Sequence, residues 1–352
     1  MKTLAQHQIL QRKQDHIKAV LEDVEVERAQ TGFEQIRLTH RALPELDFNQ
    51  VDSNADFLGK QLSFPFLISS MTGGADQTIH KINRNLASAA ERCNVALAVG
   101  SQRIMFKDAE ARKSFQLRQY APNIPIIANI GAVQLNYELG LEHILQAIDI
   151  LEADALYLHL NPLQEIIQPE GDRNFAQLAD KIQQLVHKLP IPIILKEVGS
   201  GLSSQDMELA VAAGVTWIDV AGRGGTSWSR IEAHRSDNEL GVLFQDWGLT
   251  TVESLLQTQP YQDKINVIAS GGIRNGIDMA KSVILGAQIC GTAAPLLEPA
   301  MTSADAVVHK IDQFHQEFRS AQFLLGMADL ATMRNNFDLI LSPPSWPATN
   351  RR

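Results

Sequence analysis

Eight times along this chain, a short apolar run stops at Gly, Ser, Asn or charged residues and a longer connecting segment follows, several of helical period. The runs are "FLISSMTGG" (66–74), "VALAVGSQR" (95–103), "IPIIANIGA" (124–132), "ALYLHLNPLQE" (155–165), "IPIILKEVGSG" (191–201), "WIDVAGRGGTS" (217–227), "INVIASGGIRNG" (265–276) and "AQICGTAAP" (287–295). Between them lie helical stretches such as 174–189, 203–214 and 275–287. Near-continuous apolar strands alternating with helices imply a parallel sheet buried on both faces. Eight is the number that closes a (β/α)8 TIM barrel, which usually takes about 250 residues. An open doubly wound sheet is the alternative, though such sheets usually have fewer strands. The reading is one α/β barrel domain over 1–352, with the barrel itself at 66–327. Residues 1–65 form an extension with a helical stretch at Gln8 to Leu21 and a polar loop at Asp52 to Gly59. A tail, 328–352, ends irregularly in "SPPSWPATNRR".

Composition narrows the function. A net charge of -9 argues against general nucleic-acid affinity, although a local basic patch could still bind phosphate. Two cysteines, Cys93 and Cys290, stand outside any C-x-x-C motif, so neither a disulfide framework nor a structural zinc site is expected. The N-terminus is too polar for a signal peptide, and no apolar stretch is long enough to span a bilayer. A cytoplasmic enzyme of mildly acidic character is the expectation.

In a barrel of this kind the active site lies at the C-terminal mouth of the strands. The polar strand ends are therefore the residues to read: Thr72, Ser101, Gln102, Arg103, Asn129, His159, Gln164, Glu165, Lys196, Thr226 and Arg274. "SGGIRNG" and "GTAAP" occupy the loops after the seventh and eighth strands, where barrels often bind phosphate through closely approaching backbone N–H groups. Lys196 ends an apolar run, and lysine is rarely buried without a partner. It either pairs with a carboxylate, faces an anionic or electron-rich group such as a reduced flavin, or forms a Schiff base. "RKQDHI" (12–17) is either a solvated charged face or a cationic cap over the mouth. "LHLNPLQE" (158–165) carries more hydrogen-bonding capacity than a strand end needs for its own stability.

Together, "RKQDHI", "MTGG" (71–74), "GSQR" (100–103), "ANIGA" (128–132), "HLNPLQE" (159–165), "KEVGSG" (196–201), "DVAGRGGTSWSRIE" (219–232) and "SGGIRNG" (270–276) resemble the type 2 isopentenyl diphosphate isomerases, flavoproteins of the barrel class. The resemblance covers most of the chain. It implies FMN, Mg2+ and interconversion of isopentenyl and dimethylallyl diphosphate, with NADPH needed only to reduce the flavin. By motif position, Met71, Thr72, Gly73, Ser101, Asn129, Lys196 and Thr226 are expected to contact FMN, with Gly272, Arg274, Ala293 and Ala294 around its phosphate. Arg12, Lys13, Ser101, Gln102, Arg103, His159, Asn161 and Gln164 are expected to meet the C5 diphosphate. Gln164 would position or relay a proton, and Glu165 would bind Mg2+. The family also implies a homo-oligomer, tetramer or octamer. "DWGLTT" (246–251) and "GTAAP" depart from the family pattern, lacking respectively a proline before a threonine and a glycine before the proline.

Two redox barrels compete with this reading. A 2-hydroxy acid oxidase commonly has a catalytic His near the mouth of the seventh strand, and "SGGIRNG" has none. An inosine-monophosphate-type dehydrogenase needs a nucleophilic Cys in its glycine-rich loop, and "AGRGGTSW" has none. A flavin- or phosphate-binding regulatory protein would not need the His159–Glu165 cluster.

Overall fold

A computed structural model describes residues 19–20, 22–71, 73–74, 76–236 and 239–341. Strands β1 (Phe66–Ile68), β2 (Ala96–Ala98), β3 (Ile126–Gly131), β4 (Ala155–Leu160), β5 (Ile193–Glu197), β6 (Trp217–Asp219), β7 (Asn266–Ser270) and β8 (Ile289–Thr292) arise from the eight apolar runs. They pair in parallel and in sequence, and β8 returns to β1 through Gly291 opposite Leu67. That closure excludes the open sheet.

Within β4, Leu156 and Leu158 pack outward against the helices, whereas Ala155 and Tyr157 point into the barrel. The same alternation places Ile127, Ile194, Ile268 and Ile289 inside. The interior is thus filled by side chains of alternate positions, as a small closed barrel requires.

The expected helices form with trimmed ends. Leu178–Val186 begins after Gln177, whose φ of 56° breaks the helix on that side. Ser204–Ala212 is capped reciprocally by Ser203 and Asp206, and Gly276–Ile284 by the Asn275 side chain. After β2 the connection is not an α-helix but two 3-10 segments, Gln102–Phe106 and Ala109–Phe115.

One expectation about the flanks needs correction. The stretch 52–59 is not a polar loop throughout: Ala55–Phe57 and Lys60–Leu62 form a hairpin. Its turn residues Leu58 and Gly59 have φ of 53° and 77°, the left-handed pair that suits a two-residue hairpin. Ala55, Phe57 and Leu62 close the bottom of the barrel interior, with the Phe57 ring edge-on to Trp217, centroids 5.0 Å apart. The tail is ordered as far as Leu341, because Ile340–Leu341 pairs antiparallel with Arg37–Leu38. Residues 342–352 lie outside the described residues. Among the described residues no helix is long and apolar enough to cross a membrane.

Since Phe57 is 1% exposed within this plug, Phe57→Ala is expected to cost about 3–5 kcal/mol. Urea denaturation of the variant beside the parent checks this.

Candidate active site

One step above the apolar layer, the inward positions turn polar. Asn129 follows Ile127 on β3, His159 follows Tyr157 on β4, Lys196 follows Ile194 on β5, and Ser270 follows Ile268 on β7. All four line one cleft at the C-terminal mouth, with an empty volume of about 1550 Å³ including its open entrance.

Lys196 is buried and lies 3.3 Å from the Asp219 carboxylate of neighbouring β6. The same carboxylate accepts from Tyr157 Oη at 2.7 Å and from Ser270 Oγ at 2.5 Å. Burial and the Asp219 charge push the Tyr157 hydroxyl well above its usual range, so it stays a donor. The ion-pair reading of Lys196 is therefore correct, yet the residue also lines the cleft. A cation tied from behind and open in front can face an anionic ligand.

Asn129 orients His159. The Asn129 amide nitrogen donates to Ser70 Oγ at 2.8 Å and to the Val99 carbonyl at 3.0 Å. Its oxygen is left to accept from His159 Nδ1 at 2.7 Å, which fixes the proton on that nitrogen. The backbone N–H of Asn129 in turn donates to Gln102 Oε1 at 3.0 Å.

The end of β4 runs directly into a short helix, Pro162–Ile167, with Pro162 at its first turn where its missing N–H costs nothing. Asn161, Gln164 and Glu165 therefore share one face at i, i+3 and i+4. Asn161 Nδ2 donates to Glu165 Oε1 at 2.8 Å and to Gln164 Oε1 at 3.1 Å. Gln164 Nε2 donates to the fully buried Glu232 at 2.8 Å. Nearby, Asn161 Oδ1, Gln134 Oε1 and Arg103 Nε are buried without a hydrogen-bond partner. All three residues line the cleft, and buried polar atoms of this kind are normally met by a water, an ion or a ligand.

The opposite wall is backbone. A Cβ on Gly271, whose φ is 98°, would lie 2.1 Å from the Gly222 carbonyl oxygen, and one on Gly225 would lie 2.6 Å from the Gly272 nitrogen. The loops after β6 and β7 can pack this closely only as glycine. Beside them, the helix Ala294–Thr302 starts at Ala293 with no side-chain cap. Its N-terminus and the glycine loops make a cradle suited to phosphate. Arg274 also lines the cleft, and its guanidinium is bonded to Glu27, which accepts from Thr226 as well. Burial lowers the Arg274 pKa, with Asp278 opposing the shift.

The cleft thus brings together Met71, Ser101, Arg103, Asn129, His159, Asn161, Gln164, Glu165, Lys196, Thr226, Gly272, Arg274, Ala293 and Ala294. Arg12, Lys13 and Thr72 lie outside the described residues. Gly73 stands outside the lining, against the Phe115 ring. Gln102 does not reach the cleft. It is fully buried, its amide nitrogen donating to the Ala147 carbonyl at 2.9 Å and its oxygen holding Asn129. Its side chain stands behind Asn129.

A model of the FMN-dependent dehydrogenase family matches residues 5–122 and 138–338. A protein of Hydrogenovibrio crunogenus named isopentenyl-diphosphate delta-isomerase is 62% identical, covering 95% of this chain and 98% of the relative. Proteins of the same name from Paracoccus zeaxanthinifaciens and Nostoc sp. are 56% and 47% identical, covering 95% and 93% of this chain and 98% and 95% of theirs. The chain belongs to the FMN-dependent dehydrogenase family, among its isopentenyl-diphosphate delta-isomerases. Solved structures share the fold at low identity. A flavocytochrome b2 mutant with benzoylformate superposes with a TM-score of 0.69 at 18% identity, over 96% of this chain and 86% of its own. An oxidized, active mutant of (S)-mandelate dehydrogenase gives 0.69 at 16%, over 95% and 98%.

Sequence reading missed four residues that hold the cleft's side chains in place: Asp219, Glu232, Gln134 and Asp172. Asp219 and Glu232 are the first and last residues of the motif "DVAGRGGTSWSRIE" but carry no visible role there, because nothing local says that one meets Lys196 and the other Gln164. Gln134 and Asp172 sit in loops after β3 and β4, and only the closed barrel brings them beside Arg103.

Removing one partner of a buried pair leaves the other charge uncompensated. Asp219→Ala is therefore expected to cost about 3–5 kcal/mol, and adding Lys196→Met to recover much of that, both measured by denaturant unfolding. A second prediction concerns Glu197, which burial pushes up to about 7 despite N–H bonds from Val198, Gly199 and Ser200 and the Lys196 charge. Its folded value exceeds the ordinary 4.5, so between about 4.5 and 7 the unfolded chain releases a proton that the folded chain keeps. Stability from this group then falls as pH rises through that window, by on the order of 3 kcal/mol. Stability measured from pH 4 to 8 should carry this slope in the parent and lose it in Glu197→Gln.

Proposed function

We propose that this enzyme interconverts isopentenyl and dimethylallyl diphosphate, using reduced FMN and Mg2+, with NADPH consumed only to reduce the flavin. The observation that carries the reading is the two-ended cleft: a glycine and helix-terminus cradle on one side, and unpartnered Asn161, Gln134 and Arg103 atoms beside Glu165 on the other. One end suits the phosphate of a flavin, the other a magnesium-bound diphosphate.

Met71, Ser101, Asn129, Lys196 and Thr226 would hold the flavin, with Gly272, Arg274, Ala293 and Ala294 at its phosphate. When bound and reduced, the flavin supplies the acid–base group for moving the double bond. Lys196, paired with Asp219, would favour negative charge on a reduced ring. Among the described residues no three His, Cys, Asp or Glu side chains form a metal cage. That suits Mg2+, which takes one or two carboxylates and completes its shell with substrate oxygens and water. Glu165 would be that carboxylate. Arg103 and His159 would bind diphosphate oxygens, giving remote binding energy that orients a small apolar tail. Gln164 is too weak an acid to drive protonation; with its amide fixed by Asn161 and Glu232, it positions or relays a proton.

The purified protein, supplied with FMN, Mg2+, NADPH and isopentenyl diphosphate, should approach a constant isomer ratio without consuming NADPH mole for mole. Continuous stoichiometric NADPH loss would mark an oxidoreductase instead. Gln164→Asn should lower kcat about tenfold or more, since a shorter side chain retracts the amide. Glu165→Gln should raise the Mg2+ concentration for half-maximal rate about tenfold or more. Steady-state kinetics at varied Mg2+ separates the two effects.

A further inference from the structure

We infer that Asp172 is the positioning residue of the diphosphate end, holding Arg103 through its carboxylate and Glu165 through its backbone N–H so that the two keep separate places toward the cleft. The inference rests on the reading above and extends it to a residue outside the cleft lining. Arg103 and Glu165 carry opposite charges on the same end of one cleft. Left to themselves, such groups neutralise each other, and the site loses both its phosphate donor and its metal ligand.

Asp172 prevents this in two ways. Its carboxylate accepts from Arg103 Nη1 at 2.7 Å and from Gln134 Nε2 at 2.8 Å, both on the same oxygen. Its backbone N–H donates to Glu165 Oε2 at 2.7 Å. The acid thus draws the guanidinium to one side while the main chain holds the carboxylate on the other. Arg103 Nε and Gln134 Oε1 remain without partners, so both residues keep capacity for a ligand.

The loop that presents Asp172 is fixed independently of that side chain. A Cβ on Gly171 would lie 1.8 Å from the Glu165 carbonyl oxygen, so the loop lies directly on the helix Pro162–Ile167. Arg173 Nη2 donates to the Ile166 and Gln168 carbonyls at 3.3 Å each. A substitution at 172 therefore removes the carboxylate and leaves the backbone bond to Glu165.

The test uses the FMN-loaded enzyme. Asp172→Ala should raise both KM for isopentenyl diphosphate and the half-saturating Mg2+ about tenfold, with kcat within about threefold and FMN content unchanged. Calorimetric titration with inorganic diphosphate plus Mg2+ should weaken in parallel. Asp172→Asn keeps an acceptor for Arg103 and should restore most of the affinity. Unchanged KM and diphosphate binding in Asp172→Ala would overturn the inference. So would loss of FMN or of folding in that variant, which would make Asp172 a general structural residue. A parent enzyme that binds magnesium diphosphate through Asp172 yet does not isomerise the substrate would sink the functional reading and leave this inference standing.

Discussion

Closing eight parallel strands into a barrel fixes the parity of every strand side chain, and the rest of this molecule follows from that constraint. Once Tyr157 points inward, so does His159. Once Ile194 does, so does Lys196. The polar layer at the mouth is therefore locked to the apolar layer beneath it, and a one-residue slip would turn the whole set outward. The Phe57 hairpin seals the other end of the interior. The site stands on a packed floor.

A polar layer inside a barrel is tolerable only if its members satisfy one another. Lys196, Asp219, Tyr157 and Ser270 do so around one carboxylate. Gln102, Asn129 and His159 do so in a chain that selects one His tautomer. The energetic balance of such a network is small in stability, because desolvation offsets most of the Coulomb attraction. Its value lies in orientation: each group facing the cleft has its rear fixed by a partner. Three buried atoms without a hydrogen-bond partner among the described residues, on Arg103, Gln134 and Asn161, belong to residues that line the cleft.

The eight strands were legible because each run is apolar on both faces and ends at turn residues. The cluster at 159–165 was legible because a strand end spends polar side chains there for no local reason. Gln102 lies one layer behind Asn129, a placement that residue type and motif position do not reveal. The hairpin at 55–62 was hidden because only four apolar residues, Ala55, Phe57, Leu58 and Leu62, mark it among polar ones. Its turn depends on two left-handed residues, of which one is Leu58.

Sequence alone determined the strand count, the alternation along the strand ending at 160, and the polar cluster at 159–165 that follows it. Those are local properties, set by periodicity and by the conformational limits of single residues. Tertiary structure decided which partners meet across strands and loops: Asp219 with Lys196, Glu232 with Gln164, Asp172 with Arg103. These pairs are separated by 23 to 69 positions in the chain. No local pattern encodes such a meeting; barrel closure brings the partners together, and burial then makes each pairing costly to break.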